Sequence, residues 1–164
     1  MKSKASSLVV DAQEAAREKC LRLLARRARS AAELRQRLSG AGFEREVIVR
    51  VLADLDAAGL VDDAEFARAW VASRRAAGGA GREKLRWELR RKGIAEDLIA
   101  PAVEEGTSDE MEIAQALALA RRRLREEPLD RKSLARLRRL LLGRGFGFDT
   151  VDTVMRRIIS EGKD

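Results

Sequence analysis

The sequence predicts an all-α protein made of three tandem three-helix repeats stacked into an elongated array. Apolar residues recur at spacings of three and four throughout the chain, and no segment alternates convincingly with a period of two. The composition, rich in Ala, Leu, Arg and Glu, has 37% charged residues, 4% aromatics and no tyrosine. That mixture favours helix. One motif also recurs in "ELRQRLSGAGF", "KLRWELRRKGI" and "RLRRLLLGRGF". Each copy has a Leu, a second Leu four residues on, a Gly four further on, and then a large apolar residue. These are Leu34, Leu38, Gly42 and Phe43; Leu85, Leu89, Gly93 and Ile94; and Leu137, Leu141, Gly145 and Phe146. The glycines lie 51 and 52 residues apart, and each motif leads within four or five residues to an apolar helix-starting residue (Val47, Leu98, Val151). Units of this kind bury their leucine faces, turn at the glycine and stack on one another. With 164 residues the chain is long enough to bury a real core.

Start and stop signals place helices at about 11–28, 30–39, 44–58, 62–77, 82–92, 95–105, 108–127, 131–143 and 148–160. Residues 1–10 are expected to be a flexible N-terminus, with repeats at 11–59, 60–106 and 107–164. The first helix carries Cys20 on an apolar face with Leu21 and Leu24, where a buried, inert thiol is expected. Ser30 and Glu33 form a capping box for the second helix, and Gly42 stops it. Gly59 ends the third helix in the left-handed conformation, with Leu60 able to touch Leu55. The adjacent pair Asp62–Asp63 could suggest catalysis or a metal. It reads better as architecture: Asp62 caps the fourth helix with Glu65 three residues on, Val61 staples to Phe66, and Asp63 adds a favourable first-turn charge. Trp70 shares the Phe66 face and is expected in the core.

After the "AAGGAG" connection the fifth helix is built on Leu85 and Leu89 and stopped by Gly93. Pro101 is expected to kink or shorten the sixth, and Gly106 to end it in the left-handed conformation. Either Thr107 with Glu110, or Ser108 alone, starts the seventh. Pro128 lies before the eighth, whose leucines are Leu137 and Leu141, and Val151 belongs to the ninth.

Charge is unevenly spread around a net of +7, which points to an anionic partner, nucleic acid first. Residues 61–93 carry nine positive and five negative charges, residues 94–120 no positive and seven negative, and residues 121–147 ten positive and three negative. The middle repeat's second helix holds Arg82, Lys84, Arg86, Arg90, Arg91 and Lys92. That of the last repeat, with its approach, holds Arg131, Lys132, Arg136, Arg138, Arg139 and Arg144. Third helices lean acidic, with Glu44, Glu46, Asp54 and Asp56, then Glu96, Asp97, Glu104 and Glu105. These charges could pair between neighbouring helices on a solvated surface. A basic stripe tracking a phosphate backbone is preferred, because equivalent helices in two repeats share the bias. Trp87 lies almost opposite Leu85 and Leu89 among Lys84, Arg90 and Arg91; it suits base stacking or a protein hot spot, or else packing against an adjacent repeat.

Enzyme signatures are absent. The chain has no histidine, hence no imidazole base and no ordinary zinc site. "GGAG" at 78–81 lacks the Gly-Lys-Ser/Thr of a phosphate-binding loop. The carboxylates Glu96, Asp97, Glu104 and Glu105 lack EF-hand spacing. The chain therefore reads as a non-enzyme without cofactor or metal. No run approaches the roughly 20 apolar residues of a membrane span. A single cysteine fits a reducing, cytoplasmic setting, and a monomer is expected.

The stretch "LDAAGLVDDAEFARAWVASRRAAGGAGREKLRWELRRKGI" resembles the signature of the bacterial RecX regulatory proteins, through Leu55, Gly59, Asp62, Asp63, Phe66, Ala67, Gly81, Leu85, Leu89, Gly93 and Ile94. "AREKCLRLLARRARSAAELRQRL" is similar to that family's first repeat. The resemblance implies a curved array lying in the helical groove of the RecA–single-stranded DNA filament. It further implies a modulator, usually an inhibitor, of RecA ATPase, strand exchange and co-protease activity. Expected partners are RecA protein, the filament, and DNA bound without sequence preference. The family supplies no residue motif for its site, so Trp87 and the basic residues above rest on charge and helical geometry. The alternative is a stand-alone basic helical DNA-binding protein; near-equal repeats argue against a repressor with one recognition helix.

Overall fold

A computed structural model describes residues 2–125 and 128–162. Among the described residues there are nine helices and no strand: α1 (Lys2–Leu24), α2 (Ala31–Ser39), α3 (Arg45–Ala57), α4 (Asp63–Ala77), α5 (Arg82–Arg91), α6 (Glu96–Glu105), α7 (Asp109–Leu124), α8 (Arg131–Gly143) and α9 (Phe148–Glu161). The chain divides into two compact units, Met1–Phe66 with Arg91–Ala95, and Ala67–Arg90 with Glu96–Asp164.

In the first unit α1, α2 and α3 pack pairwise around Ala16, Cys20, Leu34, Leu38, Val47, Val51 and Leu55. Cys20 is fully buried, and burial pushes its thiol pKa up, away from the reactive thiolate. In the second unit α7, α8 and α9 close around Leu137, Leu141, Phe146, Val151, Val154 and Ile158. Leu85, Leu89, Ile99 and Val103 are also fully buried there. Burying each such side chain is worth about 1.5 to 3 kcal/mol, so the repeated leucines are the main adhesive of each unit.

The glycine turns follow from hydrogen bonding. After α3, Gly59 takes φ +67°, letting Leu60 N–H donate to Leu55 C=O (2.9 Å) and Gly59 N–H to Asp56 C=O (2.8 Å). The same paired bonds close α2 at Gly42–Phe43 and α8 at Gly145–Phe146. This is the Schellman ending, which needs the left-handed residue that glycine adopts without strain.

Several expectations are corrected. The first helix, expected from residue 11, begins at Lys2, because no Gly or Pro interrupts its extension. α1 also stops at Leu24 rather than at 28; the Arg29 guanidinium turns back to the Leu23 carbonyl (3.4 Å) and satisfies an end group. α7 is described to Leu124, and its expected end at 127 lies outside the described residues. The remaining helix bounds fall within one residue of expectation. α6 continues past Pro101 to Glu105. Gly106 is not left-handed; a Cβ there would come within 2.6 Å of Val71 Cγ1, so it is glycine for close packing. Ser108 alone caps α7, accepting Met111 N–H at 3.2 Å. Trp70 is half-buried rather than core, because its indole N–H needs an acceptor and finds Glu88 at 3.0 Å.

Candidate nucleic-acid interface

Junctions between helices position the candidate residues, and their geometry accounts for the Asp62–Asp63 pair. Asp62 Oδ1 accepts Glu65 N–H at 2.8 Å, capping α4. Asp63, the first residue of α4, turns outward from its own helix and accepts Ala31 N–H, the first amide of α2, at 2.8 Å. Ser30 Oγ accepts Glu33 N–H (3.1 Å) and donates to Lys92 C=O (2.6 Å). The expected Ser30–Glu33 box is thus half formed: the Glu33 carboxylate goes to Arg27 (3.0 Å) and Lys92 (2.6 Å) instead. Burial opposes ionisation of Glu33, but those two hydrogen bonds outweigh it and hold its pKa below the usual range. Behind them Gly93 sits so close to α2 that a Cβ would lie 2.3 Å from Ala32 Cβ.

In the second unit, Glu112 of α7, buried, accepts Arg82 N–H, the first amide of α5, at 2.9 Å. Gly81 N–H donates to Arg144 C=O (2.9 Å) and Glu83 N–H to Gly145 C=O (3.1 Å). A Cβ on Gly81 would fall 2.2 Å from Gly145 O, and one on Gly145 2.4 Å from Lys84 N. A carboxylate from the next first helix and a glycine turn from the next second helix thus serve the start of α5, as Asp63 and Gly93 serve the start of α2. Glu112 was missed by sequence reasoning, although it lies 49 residues after Asp63, close to the repeat period. The start of α8 is capped locally: Asp130 accepts Ser133 N–H at 2.7 Å, and Ser133 Oγ accepts Asp130 N–H at 3.1 Å. The Ser133 amide and hydroxyl, both donating to Asp130 Oδ1, lower the Asp130 pKa.

The predicted basic residues fall into two sets. Arg82 is ion-paired to Asp109 (2.6 Å) and Glu112 (3.4 Å) and donates to Thr107 C=O (2.6 Å). Burial works against its charge, but these carboxylates prevail and raise its pKa. Arg86 bridges Glu83 and Glu104, Arg90 meets Glu96 (2.6 Å), Lys92 meets Glu33, and Arg138 meets Asp152 (2.8 Å). For these the cross-helix pairing reading holds. The Glu96 hydrogen bond raises the Arg90 pKa. Lys84, Arg131, Lys132 and Arg139 make no ion pair among the described residues; the last three are exposed and Lys84 is half-buried. Arg91 and Arg136 are also exposed. Trp87 is 51% exposed, beside Lys84 and facing the end of α8.

The surface therefore offers positive charge without an ion pair among the described residues at Lys84, Arg131, Lys132 and Arg139, and one half-exposed indole at Trp87. Among the described residues no group of carboxylate, Cys or His side chains is arranged to hold a metal ion. No helix of these residues is long and apolar enough to cross a membrane.

Comparison with known proteins agrees with this arrangement. The models of the first, second and third three-helix domains of RecX match residues 16–55, 62–103 and 109–155. Regulatory protein RecX of Mycobacterium ulcerans (strain Agy99) is 44% identical over 137 residues, covering 82% of this chain and 79% of that protein. The protein of that name from Amycolatopsis mediterranei (strain U-32) is 40% identical over 148 residues, covering 89% and 84%. The crystal structure of RecX from Lactobacillus salivarius has the same fold, with a TM-score of 0.83 at 20% identity over 90% of this chain and 97% of that one. With all three of its domains matched in order, this chain belongs to the RecX family of regulatory proteins.

Proposed function

We propose that this protein modulates RecA recombinase, as an inhibitor, by binding the RecA–single-stranded DNA filament and limiting its ATPase, strand-exchange and co-protease activities. The observation that carries this is the match of all three RecX domains, with relatives named regulatory protein RecX at 40% to 44% identity over most of both chains. The surface chemistry supports it. Lys84, Arg131, Lys132 and Arg139 leave positive charge uncompensated by any ion pair among the described residues, as a polyanionic partner requires. The protein acts in the cytoplasm, where RecA and its DNA are found, and works as a binding protein rather than an enzyme. The test is single-stranded-DNA-dependent ATP hydrolysis by RecA at modest salt, with and without this protein. Turnover is expected to fall as the protein is added. Unchanged turnover at saturating protein, with DNA binding intact, would replace this function with that of a stand-alone DNA-binding protein.

A further inference from the structure

We infer that Trp87 and the end of α8 form a stacking site for one unpaired base of single-stranded DNA. The inference rests on the proposed function only for the choice of DNA as the strand.

The Trp87 ring sits on the solvent side of α5, 51% exposed, while Leu85 and Leu89 on the opposite side are fully buried. A large aromatic left half in water costs hydrophobic stabilisation that its repeat counterparts, Gln36 and Arg139, do not forgo. Next to it lies a shallow concavity of about 460 Å³, with Glu83, Lys84 and Trp87 on one side and Leu142, Gly143 and Gly145 on the other. The two sides are held rigidly, because Gly81 and Glu83 donate their amides to the carbonyls of Arg144 and Gly145.

Gly143 is the telling residue. It is the last residue of α8, its φ is not left-handed, and a Cβ built on it meets nothing within 4 Å. Neither packing nor backbone geometry calls for glycine there, and glycine weakens a helix relative to alanine. What its missing side chain does provide is open floor beside the Trp87 ring, the close approach that a flat ligand needs.

The charge around the site selects the ligand. Lys84 has no carboxylate partner among the described residues, and Glu83 is occupied by Arg86. Arg139 lies one helical turn before Gly143 on the same face of α8. The Arg144 guanidinium reaches the 78–81 connection, 3.4 Å from where a Gly79 Cβ would stand. A flat apolar surface with Lys84 at its edge, and with Arg139 and Arg144 within a turn of its α8 side, fits a base with its flanking phosphates. Bases in a duplex are stacked and cannot enter, so a single strand is preferred.

The experiment uses the full chain without recombinase, measuring the affinity for a labelled thymidine oligomer and for a duplex of equal length. Trp87→Ala is expected to weaken single-strand affinity on the order of tenfold, the loss of one base stack. Its dependence on salt should stay the same, since no charge is removed. Trp87→Phe should restore most of the affinity. Gly143→Leu, which fills the floor at a position with open space, should weaken single-strand binding while melting no lower than the parent. Single-strand affinity untouched by both Trp87→Ala and Gly143→Leu would overturn the inference. If RecA inhibition falls while DNA affinity stays constant, Trp87 contacts protein instead, and the proposed function survives without this site.

Discussion

Glu112 Oε1 accepts the backbone amide of Arg82 at 2.9 Å, repeating in the second unit the 2.8 Å bond between Asp63 and Ala31 in the first. In both cases a carboxylate on the first helix of one repeat satisfies the first amide of the preceding repeat's second helix, one of the four donors that every helix leaves unpaired. Removing the acceptor strands that donor. Glu112→Ala should destabilise by about 1 to 3 kcal/mol, since the buried Glu112 carboxylate serves both the Arg82 amide and its guanidinium. Asp63→Ala should cost about 1 kcal/mol, the value of an ordinary cap. Glu112→Gln keeps an oxygen for the amide and should fall between Glu112→Ala and the parent. Urea unfolding followed by circular dichroism measures all three; a Glu112→Ala midpoint equal to that of the parent removes the junction role.

Asp62 differs from its neighbour in serving its own helix. Asp62→Ala is expected to cost roughly 1 kcal/mol through loss of the bond from Glu65 N–H. Function should persist wherever the protein remains folded. An Asp62→Ala protein that melts like the parent yet loses RecA inhibition would make the carboxylate functional rather than architectural.

The glycines separate two kinds of requirement. Gly59 and Gly42 need only a left-handed φ, and a Cβ at either meets nothing within 4 Å. Gly81 needs only closeness, since its Cβ would strike the Gly145 carbonyl at 2.2 Å. Gly145 needs both. Alanine at 81 is therefore expected to cost about 1 to 3 kcal/mol by overpacking against backbone, and alanine at 145 more than at 42 or 59. Thermal melts of the four single variants give the order directly. Equal losses at 42 and 145 would show that backbone approach contributes nothing.

The leucine–glycine motif made the fold readable, because a period of three and four fixes a buried face and a glycine fixes its end. Helix bounds among the described residues followed to within a residue except in α1, where neither Pro nor Gly marks the stop. The role of Asp63 was less legible. A carboxylate in a first turn looks the same in sequence whether it caps its own helix or one that starts 32 residues earlier. The same holds for the basic stripe: Arg82 and Arg86 find carboxylates 18 to 30 residues away, and only the packing of helices tells which cations are neutralised. Trp87 could be placed on the outer face from its spacing to Leu85 and Leu89, but the concavity beside it depends on α8.

Acid should weaken the protein in a definite window. The carboxylates of Glu33, Asp130, Glu96 and Glu161 all have lowered pKa values in the folded chain. For Glu33, burial pulls the other way and is outweighed by Arg27 and Lys92; Asp130 is held by the Ser133 amide, Glu96 by Arg90 and Glu161 by Arg121. A carboxylate depressed on folding contributes stability that is fully present above its unfolded pKa, about 4, and is lost as pH falls through the folded value. Melting temperature should therefore hold from pH 7 to 5 and fall below about pH 4. The double variant Glu33→Gln with Asp130→Asn should start lower and fall less. An acid slope as steep as the parent's would assign the loss to other groups.

Ion pairing also predicts which cations matter to a nucleic-acid partner. A phosphate can recruit Lys84, Arg131, Lys132 or Arg139 without first displacing a carboxylate, whereas Arg86 and Arg90 must give up Glu104 and Glu96. Exposed pairs are individually weak, but breaking them offsets part of what a phosphate contact gains. Alanine at Lys84, Arg131, Lys132 and Arg139 should therefore weaken single-stranded DNA binding more than alanine at Arg86 and Arg90, per charge removed. Replacing a cation that faces a phosphate should also reduce the slope of log affinity against log salt by roughly 0.7, the counterion yield of one single-strand phosphate. Titrations at several salt concentrations separate the two sets. Equal slopes for parent and quadruple variant would move the interface off α8 and the start of α5, whereas a larger loss from the paired arginines would mean that the partner displaces Glu96 and Glu104 on binding.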